Sequence, residues 1–235
     1  MIDGARELAR AIAAGVALRA VFVCPELCHS EEARQLLEIL PASGAERIDV
    51  NETVFARLAY GQRAEGVVGV AAAPRRRLED LVLPADPLVA VLEGVEKPGN
   101  LGAVLRSADG AGVSALVAAD PRTDLFNPNV IRASLGTIFS LGVAAAAPGD
   151  VLAWLRGRGL QVLAARVDGS VSYAAVDYRR PTAIVLGSEA QGLTSLWSGA
   201  DVRAIRLPML GAADSLNVSA AAAVLFYEAL RQRQS

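Results

Sequence analysis

Three short polar clusters, far apart along the 235-residue chain, hold the residue types whose spacing could do chemistry. The first, residues 93–106, reads EGVEKPGNLGAVLR. Its Gly94, Gly99 and Gly102 let the chain turn tightly and let a helix start close to a sheet. Asn100 is placed to cap that helix, and Arg106, six residues on, brings a guanidinium suited to an anionic oxygen. The second, residues 183–192, reads AIVLGSEAQG. An apolar run there enters Gly187, Ser188 and Glu189, so backbone can approach a ligand beside a carboxylate. The third, residues 205–220, reads IRLPMLGAADSLNVSA. A strand ends at Pro208, a small loop follows, and Ser215, Leu216 and Asn217 open the last helix. The orphan N–H groups of a helix start, with the Asn217 amide beside them, can hold polar ligand atoms. Each cluster alone also has a plain reading: a surface arginine on an amphipathic helix, a carboxylate capping a helix, and an ordinary Ser/Asn cap.

Other site types are excluded by what these loops lack. No GxGxxG follows a strand and no GxxxxGK[ST] occurs, which argues against dinucleotide and P-loop nucleotide sites. No GxSxG elbow occurs, and the single histidine, His29, lies far from all three clusters in sequence. Cys24 and Cys28 with His29 fall short of the four ligands of a structural zinc site, so no metal is expected and the thiols read as reduced. The net charge of −2 gives no general attraction for nucleic acid. Any such contact must be local. Arg75, Arg76 and Arg77 form the one tight cationic run, and it reads either as an RNA contact or as a solvated linker.

The clusters need elements to position them. Hydrophobic residues are 53% and charged residues 20% of the chain, ample for a buried core. Residues 1–73 read as a small α/β unit, with helices over 6–14, 30–40 and 53–58 and strands over 20–24, 47–50 and 66–72. Ser30 caps the second of these helices and Pro41 ends it. Prolines and charges break the periodicity over 74–86, a linker. From 87 to 235, short apolar runs at 88–92, 115–118, 141–145, 161–165, 183–186 and 204–207 suit strands covered on both faces of a parallel sheet. Helices over 101–110, 128–135, 150–156 and 215–233 separate or follow them. The fold class is α/β, and the clusters fall at strand ends, where open parallel sheets bind their ligands. No apolar run approaches the roughly 20 residues of a membrane helix, and the start lacks a signal-peptide pattern, so a cytoplasmic protein is expected.

Taken together and in order, the clusters resemble the three motifs of the SpoU (TrmH-type) family of SPOUT methyltransferases. Asn100, Gly102 and Arg106 meet Asn-x-Gly-x-x-x-Arg. Gly187, Glu189 and Gly192 meet Gly-x-Glu with a following Gly. Leu207, Pro208 and the run Ser-Leu-Asn-Val-Ser at 215–219 meet the third motif. The stretch 127–136, NPNVIRASLG, is similar to the family segment between the first two motifs. The resemblance is close over 88–233. Residues 1–73 are more loosely similar to the family's L30e-like RNA-binding domain, with a shortened opening strand.

The resemblance implies a SPOUT domain with a C-terminal trefoil knot. It implies a homodimer with the active site near the subunit interface, for which the last helix, with Leu216, Ala220, Ala223, Val224 and Tyr227, is the candidate face. S-adenosylmethionine is the implied cofactor, held near Ser134, Leu135, Gly136, Leu186, Gly187, Ile205, Leu207, Met209, Ser215, Leu216 and Asn217. The implied catalytic set is Asn100, Arg106, Glu189, Ser215 and Asn217, acting on a ribose 2′-hydroxyl. The family assigns the arginine matching Arg106 a base-like role. A guanidinium stays protonated at any working pH, so gripping the adjacent phosphate and stabilising the developing alkoxide suits it better. The implied substrate is structured RNA, 23S-type rRNA ahead of tRNA, contacted by Arg106 and by Arg75 to Arg77. The alternatives are a base nitrogen as methyl acceptor and a non-catalytic RNA-binding relative.

Overall fold

The structure is a computed structural model and describes residues 1–60, 65–189 and 191–234. In chain order the first elements are β1 (Ile2–Asp3), α1 (Ala5–Ala13), β2 (Leu18–Val23), α2 (Glu31–Ile39), β3 (Glu46–Asp49), α3 (Glu52–Leu58) and β4 (Val67–Ala71). Then come β5 (Leu88–Glu93), α4 (Pro98–Gly110), β6 (Ala115–Ala119), α5 (Pro128–Ala133), α6 (Thr137–Ser140) and β7 (Gly142–Ala146). The chain closes with α7 (Pro148–Gly157), β8 (Gln161–Ala165), β9 (Val171–Ser172), β10 (Thr182–Leu186), β11 (Val202–Arg206) and α8 (Val218–Arg233). Two compact units result: Met1–Pro74 with Phe126–Ser140, and Arg75–Leu125 with Leu141–Ser235.

The first unit is built on a four-stranded sheet of order β1-β4-β2-β3, in which only β2 and β3 run parallel. The opening strand is two residues long, as the early helix signals require. Ser30 caps α2 by accepting from the Ala33 N–H at 3.1 Å. Residues 126–140, read from sequence with the domain that begins at 87, pack in this unit: α5 lies against β1 and α6 against α1. The Asn129 amide donates to the Tyr60 hydroxyl at 2.9 Å, and Arg132 donates to the Tyr60 carbonyl. Cys24 is buried and Cys28 half-buried, both as free thiols, with their pKa values pushed up chiefly by burial.

The second unit is a seven-stranded, wholly parallel sheet of order β7-β6-β5-β10-β8-β11-β9. Every residue of β5, β6 and β10 is buried, as strands covered on both faces must be. Val89, Val91, Val117, Val162 and Val185 pack with Leu152, Leu155 and Trp197 in one core. A fully buried side chain of this size contributes about 1.5–3 kcal/mol. Leu78 and Leu81, from the stretch read as a linker, are buried in the same cluster. On another flank, α4 packs against α8, with Leu101, Val104, Leu105 and Ala108 buried on one helix and Ala222, Leu225, Phe226 and Ala229 on the other.

Candidate functional site

The order of the large sheet determines where a ligand can sit. From β5 the chain moves outward through β6 to β7, and later returns to place β10 on the other side of β5. A crevice opens at the carboxyl ends of strands where the winding reverses in this way. The open cleft found there is lined by Leu92, Glu93, Val95, Glu96, Lys97, Asn100, Gly187, Ser188, Glu189 and Val218. It is walled by the ends of β5 and β10 and by the first turns of α4 and α8, which carry the three clusters.

Its polar centre is Glu189. The carboxylate accepts from Lys97 Nζ at 2.7 Å and from the Asn217 side-chain amide. The Asn100 side chain and the Val218 N–H face it as well. The Lys97 ammonium, ahead of burial and these other donors, is the main influence on the Glu189 carboxyl and holds it below the usual carboxylate range. Because Val218 opens α8, the carboxylate also sits where a helix dipole favours negative charge. Asn217 serves two purposes. Its Oδ1 caps α8, accepting from the Ser219 N–H at 2.9 Å and the Ser219 hydroxyl at 2.6 Å, while its Nδ2 donates to Glu189 and, at 3.3 Å, to Asn100 Oδ1.

Two sequence expectations are corrected here. Asn100 is not the helix cap: α4 begins at Pro98, whose fixed φ suits a first helical position, and Lys97 stands at the cap without a capping side chain. That moves Asn100 into the first turn and frees its amide for Glu189 and Asn217. Likewise the last helix begins at Val218 with Asn217 as its cap, so Ser215 and Leu216 precede it in an exposed loop.

The loop between β10 and β11 is tightly built. A Cβ on Gly187 would lie 2.2 Å from the Gly192 carbonyl carbon, and Ser188 and Gly192 form a bridge. Glu93, buried at the end of β5, accepts from the Thr194 N–H and hydroxyl, both at 2.8 Å. The ends of β5 and the β10–β11 loop are thereby fastened together. Sequence reading singled out neither Glu93, Thr194 nor Lys97 as site residues. A charge standing at the end of a buried apolar strand, as Glu93 does, was the available signal.

Arg106 is exposed, two turns into α4, and among the described residues it makes no hydrogen bond or ion pair. Leu186 and Ile205 are buried, and the Ile205 carbonyl already accepts from the Arg166 N–H at 2.9 Å. Leu207 and Met209 are half-buried in the loop after β11. Ser134, Leu135 and Gly136 belong to the first unit, where Leu135 adopts a left-handed backbone (φ 54°) and its carbonyl accepts from Arg10 at 2.6 Å. In the arginine run, Arg76 donates to the Leu141 carbonyl at 3.1 Å and Arg77 faces Glu79 and Asp80 at 3.9 and 3.8 Å. Among the described residues Arg75 has no such partner. Among those residues, too, no group of three or more His, Cys, Asp or Glu could hold a metal ion, and no helix is long and apolar enough to cross a membrane.

Known proteins are similar to this chain in sequence and fold. The chain is 30% identical, over its whole length and 83% of the relative, to a 23S rRNA (uridine(2479)-2′-O)-methyltransferase of Streptomyces viridochromogenes. It is 39% identical to the 23S rRNA (guanosine-2′-O-)-methyltransferase RlmB of Bordetella pertussis, over 81% of this chain and 77% of that one. The crystal structure of the SpoU methyltransferase AviRb from S. viridochromogenes, in complex with the cofactor AdoMet, superposes with a TM-score of 0.90 at 29% identity, covering 100% of this chain and 90% of that one. Residues 1–69 match an MRM3-like substrate binding domain. Residues 87–227, which carry all three clusters, match the SpoU rRNA methylase family, and the chain belongs to that family.

Proposed function

We propose that this chain transfers a methyl group from S-adenosylmethionine to a ribose 2′-hydroxyl of structured RNA, with 23S-type rRNA as the substrate class. The observation that carries the reading is the meeting of Asn100, Glu189 and Asn217 in one cleft, on the helix start that leads to Arg106. The choice of rRNA over tRNA draws support from relatives named as 23S rRNA 2′-O-methyltransferases whose match covers 100% and 81% of this chain.

The residues present fit the cofactor. The cleft has apolar walls from Leu92, Val95 and Val218, and a carboxylate that suits positive charge at its edge. Backbone groups of Leu186, Gly187, Leu207, Met209, Ser215 and Leu216 are the candidates to hold the adenosyl part. The bound cofactor supplies an electrophilic methyl group on a sulfonium. The protein's contribution is to align the acceptor hydroxyl and to stabilise charge on its oxygen. Arg106 grips the neighbouring phosphate and stabilises the developing alkoxide. Asn100, Glu189, Ser215 and Asn217 orient the hydroxyl and the cofactor. Arg75, Arg76 and Arg77 contribute phosphate contacts. The same reading includes a homodimer, a trefoil knot formed by the loops after β10 and β11, and a cytoplasmic location.

Incubating the protein with ribosomal RNA and methyl-labelled S-adenosylmethionine, then digesting to nucleosides for mass spectrometry, tests the proposal. The expected product is a 2′-O-methylated nucleoside. A base-methylated nucleoside, or cofactor binding with no transfer to any RNA fraction, would overturn it.

A further inference from the structure

Lys97 is the one lysine in the chain, and every other long cationic side chain is an arginine. Its position is a poor one for helix stability. It stands at the cap of α4, where the helix dipole disfavours a cation, and its side chain is 71% exposed, free to extend into water. Instead the ammonium turns to within 2.7 Å of Glu189 Oε2 at the mouth of the cleft. Among the described residues that line the cleft it is the only cation. The other charged groups there are acidic. Glu96 is adjacent in sequence, and both Glu93 oxygens are occupied by Thr194. From α4 and α8 only neutral donors, Asn100, Asn217 and the Val218 N–H, face Glu189.

We propose that Lys97 is a positioning residue for methyl transfer: its ammonium anchors the Glu189 carboxylate, and through it the Asn100 and Asn217 amides, in the working orientation of the cleft. The inference rests on the reading of this cleft as the transfer site. The influence is mutual, since Glu189 in turn raises the Lys97 pKa. With Lys97 gone, the Glu189 carboxyl titrates at higher pH, and protonation turns one of its oxygens into a donor and weakens the charge-assisted bonds from the two amides.

Because the chain has a single lysine, the pair can be read without any activity measurement. An amine-selective acylating reagent has two targets, Lys97 and the α-amino group, and the second is an internal reference. Glu189→Gln should raise the acylation rate of Lys97 relative to the α-amino group by about twofold or more, because more of the amine is unprotonated. In the activity arm, Lys97→Met should lower kcat/KM near neutral pH by about two- to fivefold, the scale of one exposed ion pair. It should also move the acid limb of the pH–rate profile upward, while Lys97→Arg, which keeps the charge, restores the wild-type limb. Equal relative acylation in wild type and Glu189→Gln, or superimposable acid limbs for all three proteins, would overturn the proposal. Wild-type transfer by Glu189→Gln would instead sink the reading of the cleft as the transfer site, and the acylation arm would still report on the ion pair.

Discussion

At the scale of single residues, the polar side chains at the cleft are satisfied by one another, while Arg106, further along α4, is left for a ligand. Glu189, Asn100 and Asn217 bond to one another, whereas Arg106 finds no partner among the described residues. Arg106→Ala should therefore leave the unfolding midpoint and S-adenosylmethionine affinity near wild type and lower methyl transfer by about a hundred- to a thousandfold, the usual loss when a charge-stabilising donor is removed. Scanning calorimetry, titration calorimetry and labelled-methyl incorporation measure the three quantities on one preparation. Retained turnover would rule out Arg106 both as clamp and as base. Asn217 offers a sharper separation, because its two ends do different things. Asn217→Asp keeps an oxygen for the Ser219 N–H and so keeps the cap, whose loss would cost about 1 kcal/mol. It also removes the donated amide and sets a second carboxylate against Glu189, which raises the pKa of one of the pair. Urea unfolding should stay within about 1 kcal/mol of wild type while transfer falls about a hundredfold. An active variant would show that the amide is dispensable.

At the scale of elements, α8 is held at both ends by polar groups. At its start Asn217 joins the cleft. Near its end Arg233 donates to four carbonyls, those of Tyr178 at 2.9 Å, Asp86 at 2.6 Å, Pro87 at 3.2 Å and Arg180 at 3.0 Å. Gln232 adds bonds to the Tyr178 N–H and the Val176 carbonyl, each at 3.0 Å. Arg233→Ala leaves those carbonyls without their charged donor and should destabilise the second unit by about 2–4 kcal/mol in urea unfolding. A lysine there has three donors for four acceptors and should recover only part. No change in the midpoint would mean that water serves the carbonyls equally well. None of this clamp was legible in the sequence, where Arg233 is one more arginine near a helix end. What was legible followed from strong local signals. The all-apolar strands at 88–92 and 183–186, the Ser30 cap and the polar clusters at strand ends could be read because burial on both faces and capping each leave a residue pattern. The start of α4 was misread because Asn100 is a better cap by type than Lys97, and Pro98 decided the matter. The packing of 126–140 with the first unit depends on contacts with β1, α1 and Tyr60, far away in sequence, which periodicity does not encode.

At the scale of the whole molecule, a chain with net charge −2 has no global field to draw in RNA, so a few arginines and the assembly state must place the substrate. The outer face of α8 bears on that assembly. Val224 and Tyr227, three residues apart on one side of the helix, are 39% and 51% exposed, and Leu216 just before the helix is 40% exposed. The buried residues of α8 already pack against α4, and the Tyr227 hydroxyl lies over Gly110 at the end of that helix, so covering the parts of Val224 and Tyr227 that stay exposed requires another surface. A second copy of the chain meeting this face is the proposed homodimer. A stable dimer covers about 800 Å² per partner, with most of its energy in a few central aromatic and apolar anchors, a role for which Tyr227 is placed. The double change Val224→Glu and Tyr227→Glu sets charges where apolar contact is proposed and leaves the buried residues of α8 untouched. Light scattering should then report a monomer with unchanged far-ultraviolet dichroism. Methyl transfer should fall with the dimer fraction, since α8 also supplies Asn217 and Val218 to the cleft. A doubly substituted protein that remains dimeric would move the interface elsewhere, and a fully active monomer would show that the cleft is complete within one chain.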